Sequence, residues 1–176
     1  LRPSSSRRTR SVSTPMRPPG KDTYRSAAAL ALAIFGPQAA SAQDGKQTIM
    51  PEDPDALAFQ QAVGYSDAVI AGDLVILSGV VAGPADGDEG MEPGFARAFD
   101  KITRTLERAG LGWDDVVEIQ TFHTDLPAQI ETFADVKNRY VKAPFPAWTA
   151  IGITALYEPS ALVEIKVTAY KGDRAE

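Results

Sequence analysis

The chain reads as an α+β fold: a single mixed sheet with two helices packed on one face, in the order β-β-α-β-α-β-β. Three observations carry that reading. Two short apolar runs flank a hairpin signal near residue 72, and two stretches of helical spacing lie between residues 91 and 140. Near the end, Val163, Ile165 and Val167 alternate with Glu164 and Lys166, the period of a half-buried strand.

Taken in order, Ala68-Val69-Ile70 and Leu74-Val75-Ile76-Leu77 form the first two strands, separated by Ala71-Gly72-Asp73. Gly83 to Gly90 (GPADGDEG) is a polar loop crowded with turn formers. From Met91 to Ala109 the period lengthens: Phe95, Phe99, Ile102, Leu106 and Ala109 share one helical face, with Arg97, Lys101, Arg104 and Arg108 on the others. Gly110 ends this helix as a left-handed cap. Val116, Val117, Ile119 and Phe122 belong to the next strand. Pro127 opens the second helix, with Ile130, Phe133, Val136, Lys137 and Tyr140 along one side. Strands near Trp148–Ile153 and Leu162–Tyr170 close the chain. A sheet with one helix-free face leaves apolar surface to cover, which predicts self-association.

The chain's 176 residues, 44% hydrophobic and 23% charged, are enough for one domain with a real core. Without cysteine there is no disulfide, thiolate-metal site or thiol chemistry, and the single histidine, His123, rules out a histidine-rich metal site in one subunit. No cofactor is expected. Residues 1–42 hold seven basic residues and one acidic residue, leaving eleven basic against 22 acidic in residues 43–176. An acidic body without a basic stripe offers phosphate backbones no counterion release, so nucleic acid is not expected as a partner.

The N-terminal region has its own organisation. Residues 1–15 are rich in Ser, Arg and Pro and read as a disordered or untranslated leader. Residues 16–42 have the layout of a secretory signal peptide: basic Arg17, Lys21 and Arg25, the apolar run Ala27–Phe35, then the small-residue site Ala40-Ser41-Ala42. Nine apolar residues are too few to span a bilayer as a helix. Cleavage before Gln43 would send the protein to a bacterial periplasm or outside the cell, with no membrane association afterwards. Residues 43–63, rich in Asp, Gly, Gln and Pro toward their start, read as a linker, and residues 64–171 as the folded domain.

Several residues could carry chemistry. Glu164 sits mid-strand among Val163, Ile165 and Val167, where a carboxylate in an apolar setting can handle protons; the alternative is a solvent-facing glutamate paired with Lys166. Tyr65 suits either a pocket wall or a core position with its hydroxyl bonded. Gly79, after Ser78, permits close backbone approach or marks a bulge. Asn138 could serve a ligand or the end of its helix. His123 with Asp125 lacks the nucleophile motif of a hydrolase triad.

The segments Gly64-Tyr65-Ser66, Ser78-Gly79, Asn138-Arg139-Tyr140, Phe145-Pro146-Ala147-Trp148-Thr149 and Val163-Glu164-Ile165, in this order, resemble the reactive-intermediate deaminase (RidA/YjgF-like) family over about residues 64–171. The resemblance implies a chorismate mutase-like, trimer-forming fold with small-molecule pockets between subunits. It implies hydrolysis of an imine or enamine, with Glu164 positioning the water. Tyr65, the Ser78-Gly79 backbone, Asn138, Trp148 and Thr149 would then line the ligand. One departure matters. The family reads Pro-Ala-Arg where this chain has Pro146-Ala147-Trp148, and that arginine grips a substrate carboxylate. Trp148 has one N–H donor and a broad apolar face and cannot form a bidentate pair. The resemblance with this departure predicts a neutral or aromatic ligand, a charge supplied by Arg139 or Lys142, or a pocket that only binds.

Overall fold

The computed structural model describes residues 45–172. The proposed leader and signal peptide lie outside the described residues. Within them the chain forms one seven-stranded mixed sheet and three helices. The elements are β1 (Lys46–Ile49), α1 (Pro54–Val63), β2 (Ala68–Ala71), β3 (Leu74–Leu77), β4 (Val80–Ala82), α2 (Glu92–Arg108), β5 (Val116–His123), α3 (Leu126–Tyr140), β6 (Ala147–Gly152) and β7 (Val163–Tyr170).

The strands lie in the order β1-β2-β3-β7-β5-β6, and β4 also pairs with β7. All pairings are antiparallel except β5 with β6. β3 meets β7 at Thr168–Tyr170 and β4 meets it at Val163–Ile165. The two are therefore one run interrupted at Ser78-Gly79, which bends away from the ladder. β6 is an edge strand.

Alternation decides the two faces. Along β7, Val163, Ile165, Val167 and Ala169 are buried, while Glu164, Lys166, Thr168 and Tyr170 point the other way. On the buried side α2 contributes Phe95, Phe99, Ile102 and Leu106, and α3 contributes Phe133 and Val136, all of them fully buried. Aromatic rings knit the two helices together: Phe95 meets Phe133 edge-on at 5.5 Å, and Phe99 stacks on Tyr140 at 5.0 Å. The helical spacing read from the sequence thus marks the face that packs. α2 ends as expected, with Gly110 at φ 74° and the Leu111 N–H donating to the Leu106 carbonyl at 2.9 Å.

The linker reading of residues 43–63 is corrected from residue 45 onward. β1 extends the sheet beyond β2, pairing Lys46 with Ala71 and Ile49 with Ala68. α1 starts on a side-chain cap, Asp53 Oδ1 accepting from the Ala56 N–H at 2.8 Å, with Pro54 at its first position, and stops at Gly64 in the left-handed region. Polar composition hid these elements because β1 is a short edge strand and α1 buries only Gln60.

Candidate functional site

The sheet register divides the candidate residues between its two faces. Glu164 pairs across the ladders with Val81 of β4 and Phe122 of β5, and Phe122 pairs with Ile151 of β6. Paired residues share a face, so Glu164 lies on the helix-free face amid Val81, Phe122 and Ile151. Leu74, Ile76 and Tyr170 belong to the same face through the pairing of β3 with β7, and all three are exposed. Thr149, opposite Gln120, also faces this way.

The Glu164 carboxylate is half-buried, and among the described residues no ion pair or hydrogen bond holds it. The Lys166 partnership considered from the sequence does not form. Gly79 is what accommodates the carboxylate. A Cβ at residue 79 would stand 1.8 Å from Glu164 Oε1 and 2.7 Å from its Cδ, well inside contact distance. Glycine leaves room there for the carboxylate to lie against the backbone.

Tyr65 is tied to this side through the backbone. The Ser78 N–H donates to the Asp67 carbonyl at 2.9 Å, and the Ser78 hydroxyl to the Ser66 carbonyl at 2.6 Å. Asp67 is fixed in turn by Gln60 at 2.7 Å and Arg108 at 2.6 Å. Tyr65 itself is 40% exposed, its ring edge-on to Phe59. Glu164 and Gly79 thus meet, with Ser78 beside them and its hydroxyl already used internally, while Tyr65 is linked to them only through its neighbours Ser66 and Asp67.

Trp148 and Asn138 form another. Trp148 pairs with Ile119, so its indole lies on the helix-bearing face of β6. Its Nε1 donates to Thr121 Oγ1 at 3.1 Å, and its ring lies 6.0 Å from Phe133. A hollow of about 250 Å³ opens beside it, lined by Ile119, Lys137, Asn138, Val141, Phe145, Pro146 and Trp148. Lys137 is the residue the sequence reading did not single out. It is only 7% exposed, its Nζ stands 4.6 Å above the Trp148 ring and it donates to Asn138 Oδ1 at 2.9 Å. Burial pushes the Lys137 ammonium below its ordinary pKa. Its place in the apolar spacing of α3 was visible, but that spacing was read only as a helix signal.

The other charges weighed for this hollow are engaged elsewhere. Arg139 reaches Glu92 at 2.7 Å, and Lys142 donates to the Asn138 carbonyl. His123 is fully buried, its Nε2 3.0 Å from Thr121 Oγ1 and its ring edge-on to Phe133. Burial lowers its pKa, with the Gln129 carboxamide acting weakly in the other direction. Asp125 caps α3 through the Ala128 N–H, so the two make no triad. Among the described residues no group of three His, Cys, Asp or Glu could hold a metal ion, and no helix is long and apolar enough to cross a membrane.

Comparison with known proteins places the fold in a family. The model of the family described as Endoribonuclease L-PSP matches residues 56–171. The RutC family protein YjgH of Escherichia coli is 42% identical over 97 residues, covering 52% of this chain and 72% of that protein. A 2-iminobutanoate/2-iminopropanoate deaminase of Dermatophagoides farinae is 32% identical over 123 residues, covering 62% and 88%. Among solved structures, a YjgH structure superposes with a TM-score of 0.61 at 33% identity, covering 72% of this chain and 96% of its own. Rv2704 of Mycobacterium tuberculosis, a member of the YjgF/YER057c/UK114 family, gives 0.61 at 28% identity, covering 72% and 99%.

Proposed function

The chain belongs to the RidA/YjgF-like family, and from that premise we propose that it hydrolyses a small imine or enamine in a pocket completed by a second copy of itself. The observation that carries this reading is the unpartnered Glu164 carboxylate over Gly79, on the sheet face opposite Trp148 and Asn138. A single chain cannot close both groups around one small ligand. A second copy can supply the other group, and the exposed Leu74, Ile76, Val81 and Tyr170 give the helix-free face a reason to be covered. A closed ring of three satisfies the same contact in every copy.

In that pocket Glu164 accepts a proton from water while the water oxygen bonds to the imine carbon. The nitrogen takes a proton, the carbinolamine collapses, and ammonia leaves behind a carbonyl. Gly79 and Tyr65 hold the ligand beside the carboxylate, and Asn138 and Trp148 of another copy form the far wall. The relative from Dermatophagoides farinae is named for imine deamination, which supports this chemistry here. A ribonuclease role has less support, because residues 43–176 carry twice as many acidic as basic residues. The test is ammonia release from a panel of imines: Glu164→Ala should abolish it, and equal rates would refute the proposal.

A second reading is a binding module without turnover. Trp148 favours it, since its only N–H is already given to Thr121 and it has none left for a ligand. Trp148→Arg separates the two readings: deaminase activity gained only in that variant means the natural chain binds without reacting. Export rests on the signal-like residues 16–42, and an N-terminus at Gln43 on protein recovered from its own cells would establish it.

A further inference from the structure

The family's carboxylate-gripping arginine is replaced by Trp148, yet the hollow beside Trp148 is not without a cation. Lys137 lines it, is buried to within 7% of full enclosure, and has no carboxylate in ion-pair reach among the described residues. Its contacts are the Asn138 carboxamide oxygen at 2.9 Å and the π face of Trp148 at 4.6 Å. Neither neutralises an ammonium. A cation–π contact and one amide acceptor keep the charge in place without a counter-ion. A buried charge is ordinarily paired, because an unpaired one is costly to withdraw from water. Here the missing partner has room to arrive, since the charge borders a hollow of about 250 Å³.

The neighbours of Lys137 specify the rest of the ligand. Asn138 Oδ1 is occupied by Lys137, which leaves the Asn138 amide N–H groups free to donate to a second acceptor. Phe145, Pro146 and Trp148 provide an apolar wall, with Phe145 70% exposed and so unpacked within the chain. We propose that Lys137 takes over the anchoring of the ligand, and that the hollow receives a small carboxylate with an apolar or aromatic body. One carboxylate oxygen meets the Lys137 ammonium, the other meets the Asn138 amide, and the body lies against Trp148 and Phe145. This rests on the pocket assignment above and revises its ligand class. The guanidinium fork on β6 is exchanged for a point charge on α3, and the indole that displaced the fork holds the new cation from below.

The test is calorimetric titration of the full chain with 3-phenylpropanoate and, separately, 3-phenylpropanamide, which has the same body and no charge. The acid should bind at least about tenfold more tightly than the amide, the difference expected for a charge-assisted contact. Lys137→Met should erase the preference for the acid over the amide, while Lys137→Arg should keep most of it. Equal binding of acid and amide by the natural chain, an undiminished preference in Lys137→Met, or no binding of either at millimolar concentration would overturn the proposal. The acid-over-amide comparison on the natural chain stands even if Lys137→Met does not fold. Glu164→Gln keeps the hydrolysis question separate: it should retain the preference for the acid. If it also released ammonia at the natural rate, hydrolysis at Glu164 would fall while the Lys137 anchor stood.

Discussion

The two halves of the candidate pocket are built by different means. The Glu164 half is held by backbone: a ladder register fixes where the carboxylate points, and the gap between β3 and β4 brings Gly79 beneath it. The Trp148 half is held by side chains, an indole resting on Phe133, hydrogen-bonded to Thr121 and covered by a lysine from α3. Backbone placement couples the two residues, because a Cβ at residue 79 would push the Glu164 carboxylate out of its place. Side-chain placement can be rewired by changing which residue carries the charge. In this chain the half that differs from the family's pattern is the rewirable one.

Substitutions can break that comparison one half at a time. The largest effect is expected from Glu164→Ala, which should lower ammonia release about a thousandfold while leaving thermal unfolding nearly unchanged, as removal of a proton-handling group does. Phe133→Ala acts on the other half. It takes away the ring beneath Trp148 and beside His123, and should cost about 3–5 kcal/mol in denaturant unfolding. Gly79→Ala should cost little stability, because the added methyl need only displace the flexible end of the Glu164 side chain, but turnover should fall as that carboxylate moves.

A smaller effect comes from pH. Burial lowers the His123 pKa from 6.5, so the unfolded chain binds a proton more readily than the folded one. Stability should therefore be complete above pH 6.5 and decline as pH falls from there toward the folded value. His123→Gln should flatten that slope, seen in melting temperatures across the window. Smallest is Arg108→Ala, which loosens the partly exposed tie to Asp67 and should cost under about 1 kcal/mol.

The same contrast explains what could be read in the sequence. Alternation along Val163–Val167 and the spacing of Phe95, Phe99, Ile102 and Leu106 report burial directly, so five of the seven strands and both packed helices were legible, while three-residue β4 was too short to show a period. β1 and α1 carried weaker signals. Asp53-Pro54 is a good helix start, but it stands in polar surroundings and the helix that follows buries one residue. His123 could have been placed inside, since it continues the buried alternation of Ile119 and Thr121. Glu164 and Gly79 were found by motif, and the ladder explains their meeting. Lys137 was legible as a helix-face residue but not as a cation over an indole. That contact joins α3 to β6 across eleven residues, through a register that one sequence does not display.

The central claim is that one ligand is shared by two chains, and subunit mixing tests it most directly. Glu164→Ala and Lys137→Glu chains, each inactive alone, should regain a substantial fraction of natural ammonia release when unfolded together and reassembled, because some interfaces then pair an intact Glu164 half with an intact Lys137 half. Activity no higher than the sum of the two separate variants would place both halves in one chain, or in no common site, and would contradict the account.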